Sequence, residues 1–288
     1  MQRLQRRISQ LERENTALEQ QYAALKKNPP AINTYHFKGY NIPINLMLMT
    51  GGGPETFDGI SSLHNNLLQR WIGIEPNHNI LEIGCGIGRD AIPLSYQVTN
   101  GSYLGIDIIG DSISWCKQEI ESRNPNFKFL HFNVEDKLHN AGGVTKTTDI
   151  VLPIEDESVD RIFLFSVFTH LYQADIEHYL REFRRVLKPG GLVLATTFIY
   201  DDAILQKARE TNLTAFDLRF EHEIDDGCRI NDLDQPLGAI AFTRKRWDEM
   251  LKSTGMKYVH PVLLGGWSGF FDTYEDGQDV LILEAVRS

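Results

Sequence analysis

Asn79-Ile80-Leu81-Glu82-Ile83-Gly84-Cys85-Gly86-Ile87-Gly88-Arg89-Asp90 sets a short apolar strand directly before a glycine-rich turn and the start of a helix. Gly84 and Gly86 let the main chain take positive φ and lie against a small charged ligand, and Gly88 lets the next helix start close to the strand. The spacing is G-x-G-x-G. A dinucleotide-binding turn of G-x-G-x-x-G form needs its third glycine where Arg89 stands, so the nicotinamide fingerprint is broken at the residue that packs helix on strand. About twenty residues on, Tyr103-Leu104-Gly105-Ile106-Asp107-Ile108 reads as a second buried strand ending in a carboxylate, the place for an acceptor of paired ribose hydroxyls.

Outward from these two segments the pattern is regular. Strands are predicted near 79–84, 102–108, 127–132, 159–165, 191–199, 257–264 and 279–286, with helices near 88–97, 111–122, 174–187 and 243–253. Strands alternating with helices require an α/β, doubly wound, mostly parallel sheet covered on both faces. The last two strands have no helix between them, so the seventh is expected to run antiparallel beside the sixth. Residues 134–157 exceed a normal connection, and Asn140-Ala141-Gly142-Gly143 marks a loop there, read as surface decoration.

Three further stretches follow in order: Leu152-Pro153-Ile154-Glu155-Asp156-Glu157-Ser158-Val159-Asp160, Ser166-Val167-Phe168-Thr169-His170-Leu171, and Glu182-Phe183-Arg184-Arg185-Val186-Leu187-Lys188-Pro189-Gly190-Gly191. With the first glycine turn and Asp107, they make the chain resemble the class I S-adenosylmethionine-dependent methyltransferases, which have a Rossmann-like sheet of seven strands, the last antiparallel. The resemblance implies S-adenosyl-L-methionine as cofactor. It implies that Glu82, Gly84 and Gly86, with Cys85 as the small residue between the glycines, hold the amino-acid end, that Asp107 takes the ribose hydroxyls, and that Ile108 packs on the adenine. Asn133 and Val134 stand where the family commonly sets an acidic residue and an apolar neighbour against the adenine amine, and Ser166 ends the fourth strand at the same edge. If the acceptor is a hydroxyl, His170 is the best-placed base; the competing reading has it orient the following helix. Gly266-Trp267-Ser268-Gly269 and Gly277-Gln278-Asp279-Val280 look like small-molecule methyltransferases associated with polysaccharide biosynthesis, which tilts the acceptor toward a sugar or glycan hydroxyl and the reaction toward O-methylation.

A chain of 288 residues suits one such domain, here residues 31–288, plus an appendage. Leu4, Ile8, Leu11, Asn15, Leu18, Tyr22 and Leu25 alternate spacings of four and three, a coiled-coil seam over residues 1–28 with Asn15 at an a position, pointing to a homo-oligomer, a dimer favoured. Pro29-Pro30 stop that helix. No apolar run is long enough to span a bilayer and the amino terminus is too polar for a signal peptide, so a cytoplasmic protein is expected. Cys85, Cys116 and Cys228 lack C-x-x-C spacing, which argues against a disulfide framework and a structural zinc site. The net charge of −10 understates the acidity of the globular part, because residues 1–27 hold six Lys/Arg and three Asp/Glu. Such a surface repels phosphate backbones, so nucleic acid is not the expected partner.

The segment 200–242, expected to be an insertion on the acceptor side, carries Asp217, Glu221, Glu223, Asp225, Asp226, Asp232 and Asp234 around His222. Its spacing fits no ligand loop, so it reads as a solvated acidic face and no metal is expected. Gly265-Gly266-Trp267-Ser268-Gly269-Phe270-Phe271 has two readings, a platform for a sugar ring or closure of the core. Two other functional classes remain: a noncatalytic scaffold that binds the cofactor and works through its coiled coil, and a nicotinamide-dependent oxidoreductase, against which Arg89 stands.

Overall fold

The computed structural model describes residues 33–134, 140, 142–211, 213 and 216–287, so the heptad segment 1–28 lies outside the described residues. The described chain opens with a hairpin of β1 (Thr34–Phe37) and β2 (Tyr40–Pro43). Its two-residue turn puts Lys38 and Gly39 at φ of 44° and 85°, the positive values that let a tight turn follow the strand twist. In α1 (Phe57–Trp71) the buried residues Phe57, Ser61, His64, Leu67 and Leu68 recur every three or four positions, so one face packs on the sheet.

The main sheet then begins with β3 (Asn79–Ile83), β4 (Ser102–Asp107), β5 (Phe127–His131), β6 (Val159–Leu164) and β7 (Leu187–Thr197). β8 (Ile199–Tyr200) leaves it and pairs with β11 (Ile240–Thr243), which with β10 (Cys228–Ile230) and β9 (His222–Asp225) makes a second sheet of four strands. β12 (Met256–Tyr258) and β13 (Asp279–Ala285) return to the main sheet, whose order is β12-β13-β7-β6-β3-β4-β5. β13 is antiparallel to both neighbours, while β3 to β7 are mutually parallel. This is the doubly wound, seven-stranded, mostly parallel sheet that the sequence pattern calls for.

Helices between the strands are α2 (Ala91–Leu94), α3 (Gly110–Cys116), α4 (Gln173–Val186), α5 (Asp202–Thr211) and α6 (Arg244–Thr254). Leu81 and Ile83 pack with α4 and α6 on one face, and Ile80 with α1, α2 and α3 on the other, as alternation along a strand buried on both sides requires. Near the glycine turn the expected helix 88–97 is reduced to Ala91–Leu94, with Pro93 lacking an N–H inside it. The expected sixth strand is also shorter: it stops at Tyr258, and Pro261 separates it from a lone bridge between Leu263 and Val280.

One expectation for a connection is corrected. The 134–157 connection is not surface decoration, since Ile150 and Leu152 are buried in the core beneath it. The acidic residues of 200–242 are exposed, as the sequence reading of a solvated face has it, and three of them also pair at the surface: Glu223 with Arg229 at 2.7 Å, Glu221 with Arg219 at 3.0 Å and Asp225 with Arg246 at 3.4 Å. A third core ties this segment to the loop before β13, with Phe198, Phe220 and Trp267 meeting edge to face or tilted at 5.4 Å. Trp267 therefore closes a core, while Phe270 is exposed. Asp279 anchors the junction, its carboxylate accepting from the N–H groups of Gly265 and Ile199 and from Trp267 Nε1 at 2.7, 2.6 and 3.0 Å.

Candidate functional site

Strands β3, β4, β5 and β6 end at one edge of the sheet, where the order reverses around β3, and a cavity of about 480 Å³ opens there. Its wall includes Glu82, Gly84, Cys85, Gly86, Asp107, Ile108, Val134, Ser166 and His170. Asn133 is not brought into that wall; its side-chain oxygen accepts from Asn140 Nδ2 at 3.1 Å.

The turn after β3 depends on its glycines. Gly84 and Gly86 have φ of 78° and 51°, and a Cβ on Gly84 would stand 2.5 Å from Val167 Cγ2, while one on Gly86 would collide with the Thr50 methyl. Asp107 fixes this turn from β4: its Oδ2 accepts from the Gly86 N–H at 2.6 Å and its Oδ1 from the Ile109 N–H at 2.8 Å. The carboxylate is thus held rigidly at the wall, buried but in contact with the cavity. Cys85 and Cys116 lie behind it with thiols pushed up by burial, so neither is a ready nucleophile.

Glu82 lies inward of the turn. Its carboxyl accepts from the Tyr103 hydroxyl, and burial, reinforced by the negative charge of Asp90, raises it well above the usual carboxylate range. On the opposite wall Ser166, at φ 57°, donates its N–H to Thr196 Oγ1 at 2.7 Å and accepts at Oγ from Gln278 Nε2 at 2.9 Å. His170 Nδ1 donates to the Leu237 carbonyl at 2.8 Å, a bond that gives the neutral ring its lone pair on Nε2. No cavity-wall residue comes from 200–242, so that segment reaches the site by holding His170.

Sequence reasoning missed the cover over the turn. Arg89 Nη1 donates to the carbonyls of Thr50 and Gly51 at 3.1 and 3.4 Å, pulling the segment before α1 across the glycines. His64 of α1 stacks on Phe165 at 3.5 Å and donates from Nδ1 to Asp90 Oδ2 at 2.7 Å. The signal was present: His64, like Ser61, interrupts the apolar stripe of the helix, and Arg89-Asp90 directly follow the turn. Thr147 also lines the cavity, from the connection read as decoration.

A protein-family model described as "Methyltransferase domain" matches residues 80–191, the span from the glycine turn to the entry of β7. Within that span the chain carries a domain similar to the class I S-adenosylmethionine-dependent methyltransferases. The chain is 27% identical over 195 residues to the sterol 24-C-methyltransferase of Gibberella zeae, covering 65% of this chain and 44% of that protein. It is 32% identical over 124 residues to the fatty-acid O-methyltransferase of Mycolicibacterium smegmatis, covering 43% of this chain and 36% of that protein. The chain spans less than half the length of these curated relatives. Its fold is shared with the crystal structure of the PH0226 protein from Pyrococcus horikoshii, at a TM-score of 0.52 and 14% identity, covering 83% of this chain and 93% of that one.

S-Adenosylmethionine is the cofactor that the matched domain supports. The cavity suits it: its volume lies in the range of small-ligand sites, and the glycine turn leaves out the Cβ atoms that would fill it. Among the described residues, no group of three or more His, Cys, Asp or Glu side chains is gathered as for a metal, and no helix is long and apolar enough to cross a membrane.

Proposed function

We propose that this methyltransferase acts on a hydroxyl of a small acceptor, with a sugar or glycan as the acceptor class. The observation that carries the reading is that His170 shares one cavity wall with Asp107 and the glycine turn. When bound, the cofactor supplies a methyl group on a sulfonium, already activated for in-line transfer. The residues then have to align and dry the reactants. In this reading Asp107 accepts from the vicinal ribose hydroxyls, Ile108 and Val134 flank the adenine, and the bare main chain of Gly84 to Gly86 lies along the methionine portion with Ser166 opposite. His170 takes the proton from the acceptor hydroxyl at Nε2, and its Nδ1 bond to Leu237 keeps the ring in the receiving tautomer.

A second reading of the acceptor rests on the cavity wall near α1. Met49, Ile60 and Leu63 line it, and Met49 and Leu63 remain exposed at 43% and 38%. Such a rim favours an acceptor with an apolar body, in keeping with the sterol and fatty-acid acceptors named for the two relatives. An acceptor screen with methyl-labelled donor, using nucleotide sugars and glycans in one arm and hydroxylated lipids and fatty acids in the other, separates the two. No transfer in either arm supports the noncatalytic scaffold. We further propose that residues 1–28 assemble the chain as a dimer.

A further inference from the structure

His64 stands on the cavity wall with Ile60 and Leu63 of the same helix, and the proton transfer assigned to His170 does not use it. It is only 6% exposed and is fixed on two sides: its ring stacks on Phe165 at 3.5 Å, and its Nδ1 donates to Asp90 Oδ2 at 2.7 Å. An ionised carboxylate only accepts, so the neutral ring carries its proton on Nδ1 and its lone pair on Nε2. Among the described residues Nε2 has no partner, and it is not sealed from water, so it opens onto the cavity. A structural clamp would not need this arrangement, since Ser61 already ties α1 to the glycine turn by donating to the Arg89 carbonyl at 3.1 Å. The helix also lies before the span 80–191 that matches the methyltransferase domain, so this wall is separate from the shared donor-binding part.

We propose that His64 determines acceptor specificity: its Nε2 accepts a hydrogen bond from a second hydroxyl of a sugar, other than the hydroxyl that is methylated. The inference rests on the sugar reading of the acceptor and deepens it. Ile60 and Leu63 set an apolar surface beside a single hydrogen-bond acceptor, which suits a pyranose with its C–H face on the side chains and one hydroxyl at the imidazole. A sterol or a simple fatty acid carries no second hydroxyl for that position. Asp90 is a positioning residue: through Nδ1 it fixes the tautomer and the direction of the ring, and it acts on the acceptor only through His64. The two histidines thereby divide the work, His170 taking the proton and His64 holding the sugar.

Transfer from methyl-labelled donor to methyl α-D-glucopyranoside, methyl α-D-mannopyranoside and methyl α-L-rhamnopyranoside, each with its monodeoxy derivatives, tests the assignment on the full chain. Wild-type chain should discriminate by about tenfold or more in kcat/KM against one derivative that keeps the methylated hydroxyl and lacks another. His64→Phe retains an aromatic ring to stack on Phe165 and removes Nε2. It should cut that discrimination to about twofold and raise KM for the parent glycoside about tenfold, with kcat within about threefold and S-adenosylhomocysteine affinity within about twofold of wild type. A second measurement needs no variant: in wild-type chain holding S-adenosylhomocysteine, the ¹⁵N resonance of His64 Nε2 should move on adding the parent glycoside and stay in place with the discriminated derivative. Folded His64→Phe that keeps the wild-type discrimination, or an Nε2 resonance that answers both glycosides alike, overturns the proposal and leaves His64 a structural residue. Loss of kcat with KM unmoved overturns it by making His64 the proton acceptor, and loss of S-adenosylhomocysteine affinity overturns it by assigning His64 to the donor. Wild-type chain that binds S-adenosylhomocysteine but methylates none of the glycosides overturns the sugar reading and this inference with it.

Discussion

Asp107→Asn probes whether the strand-end carboxylate holds the glycine turn as well as the ribose. In the wild-type chain its two oxygens each receive a main-chain N–H, from Gly86 and Ile109, in a buried setting where solvent screens little. An asparagine keeps the shape but has one acceptor oxygen, so one of those amides meets an NH₂ group instead. Hydrogen bonds to a charged group contribute about 1.5–3 kcal/mol each, and an unpaired buried donor costs about 1–3 kcal/mol. A destabilisation of about 3 kcal/mol follows, which at about 3 °C per kcal/mol for a domain of this size lowers Tm by about 9 °C. The effect needs no ligand and is read by differential scanning calorimetry. In a second assay, titration with S-adenosylhomocysteine should show affinity reduced by about tenfold or more, because the ribose hydroxyls lose a charged acceptor. A variant that melts within about 2 °C of wild type and binds equally well would refute the claim that Asp107 organises this turn.

Three further outcomes are expected. Burial pushes Asp279 up to about 6 from 3.8, so its proton is held more tightly in the folded chain; its stabilising contribution is complete below about pH 4 and lost as pH rises through 6. Denaturant unfolding of wild type and Asp279→Asn at pH 7.5 and pH 5 should therefore show the wild-type advantage growing by about 1.4 kcal/mol at the lower pH, and a pH-independent difference contradicts this. For a hydroxyl acceptor, His170→Ala should lower turnover about a hundredfold with S-adenosylhomocysteine affinity within twofold of wild type, and near-normal turnover would assign His170 to structure. Light scattering should give a dimer for the full chain and a monomer once residues 1–28 are deleted; equal stoichiometry removes the assembly proposal.

Much of this architecture is legible in the sequence because the buried strands combine apolar runs with punctuating glycines. Ile80 to Ile83 before Gly84, and Tyr103 to Ile106 before Asp107, show both the strand and the edge at which it ends. The four-stranded sheet is not legible, since β9 is largely exposed and its residues His222 to Asp225 have no apolar alternation. Its carboxylates are exposed as read, but their pairing with Arg229 and Arg246 is not legible, because those arginines lie on other elements. The cover over the turn escapes for a similar reason: the bonds from Arg89 to Thr50 and from His64 to Asp90 join residues 39 and 26 positions apart. Periodicity reports which face of an element is buried, and says nothing of which polar groups meet across that boundary.

Isothermal titration of the folded chain with S-adenosylhomocysteine tests the central claim most directly. One site per chain with a dissociation constant on the order of micromolar is expected, lost or weakened in Asp107→Asn. A folded chain that gives no heat with S-adenosylhomocysteine or with S-adenosylmethionine at millimolar concentration contradicts the assignment of this cavity.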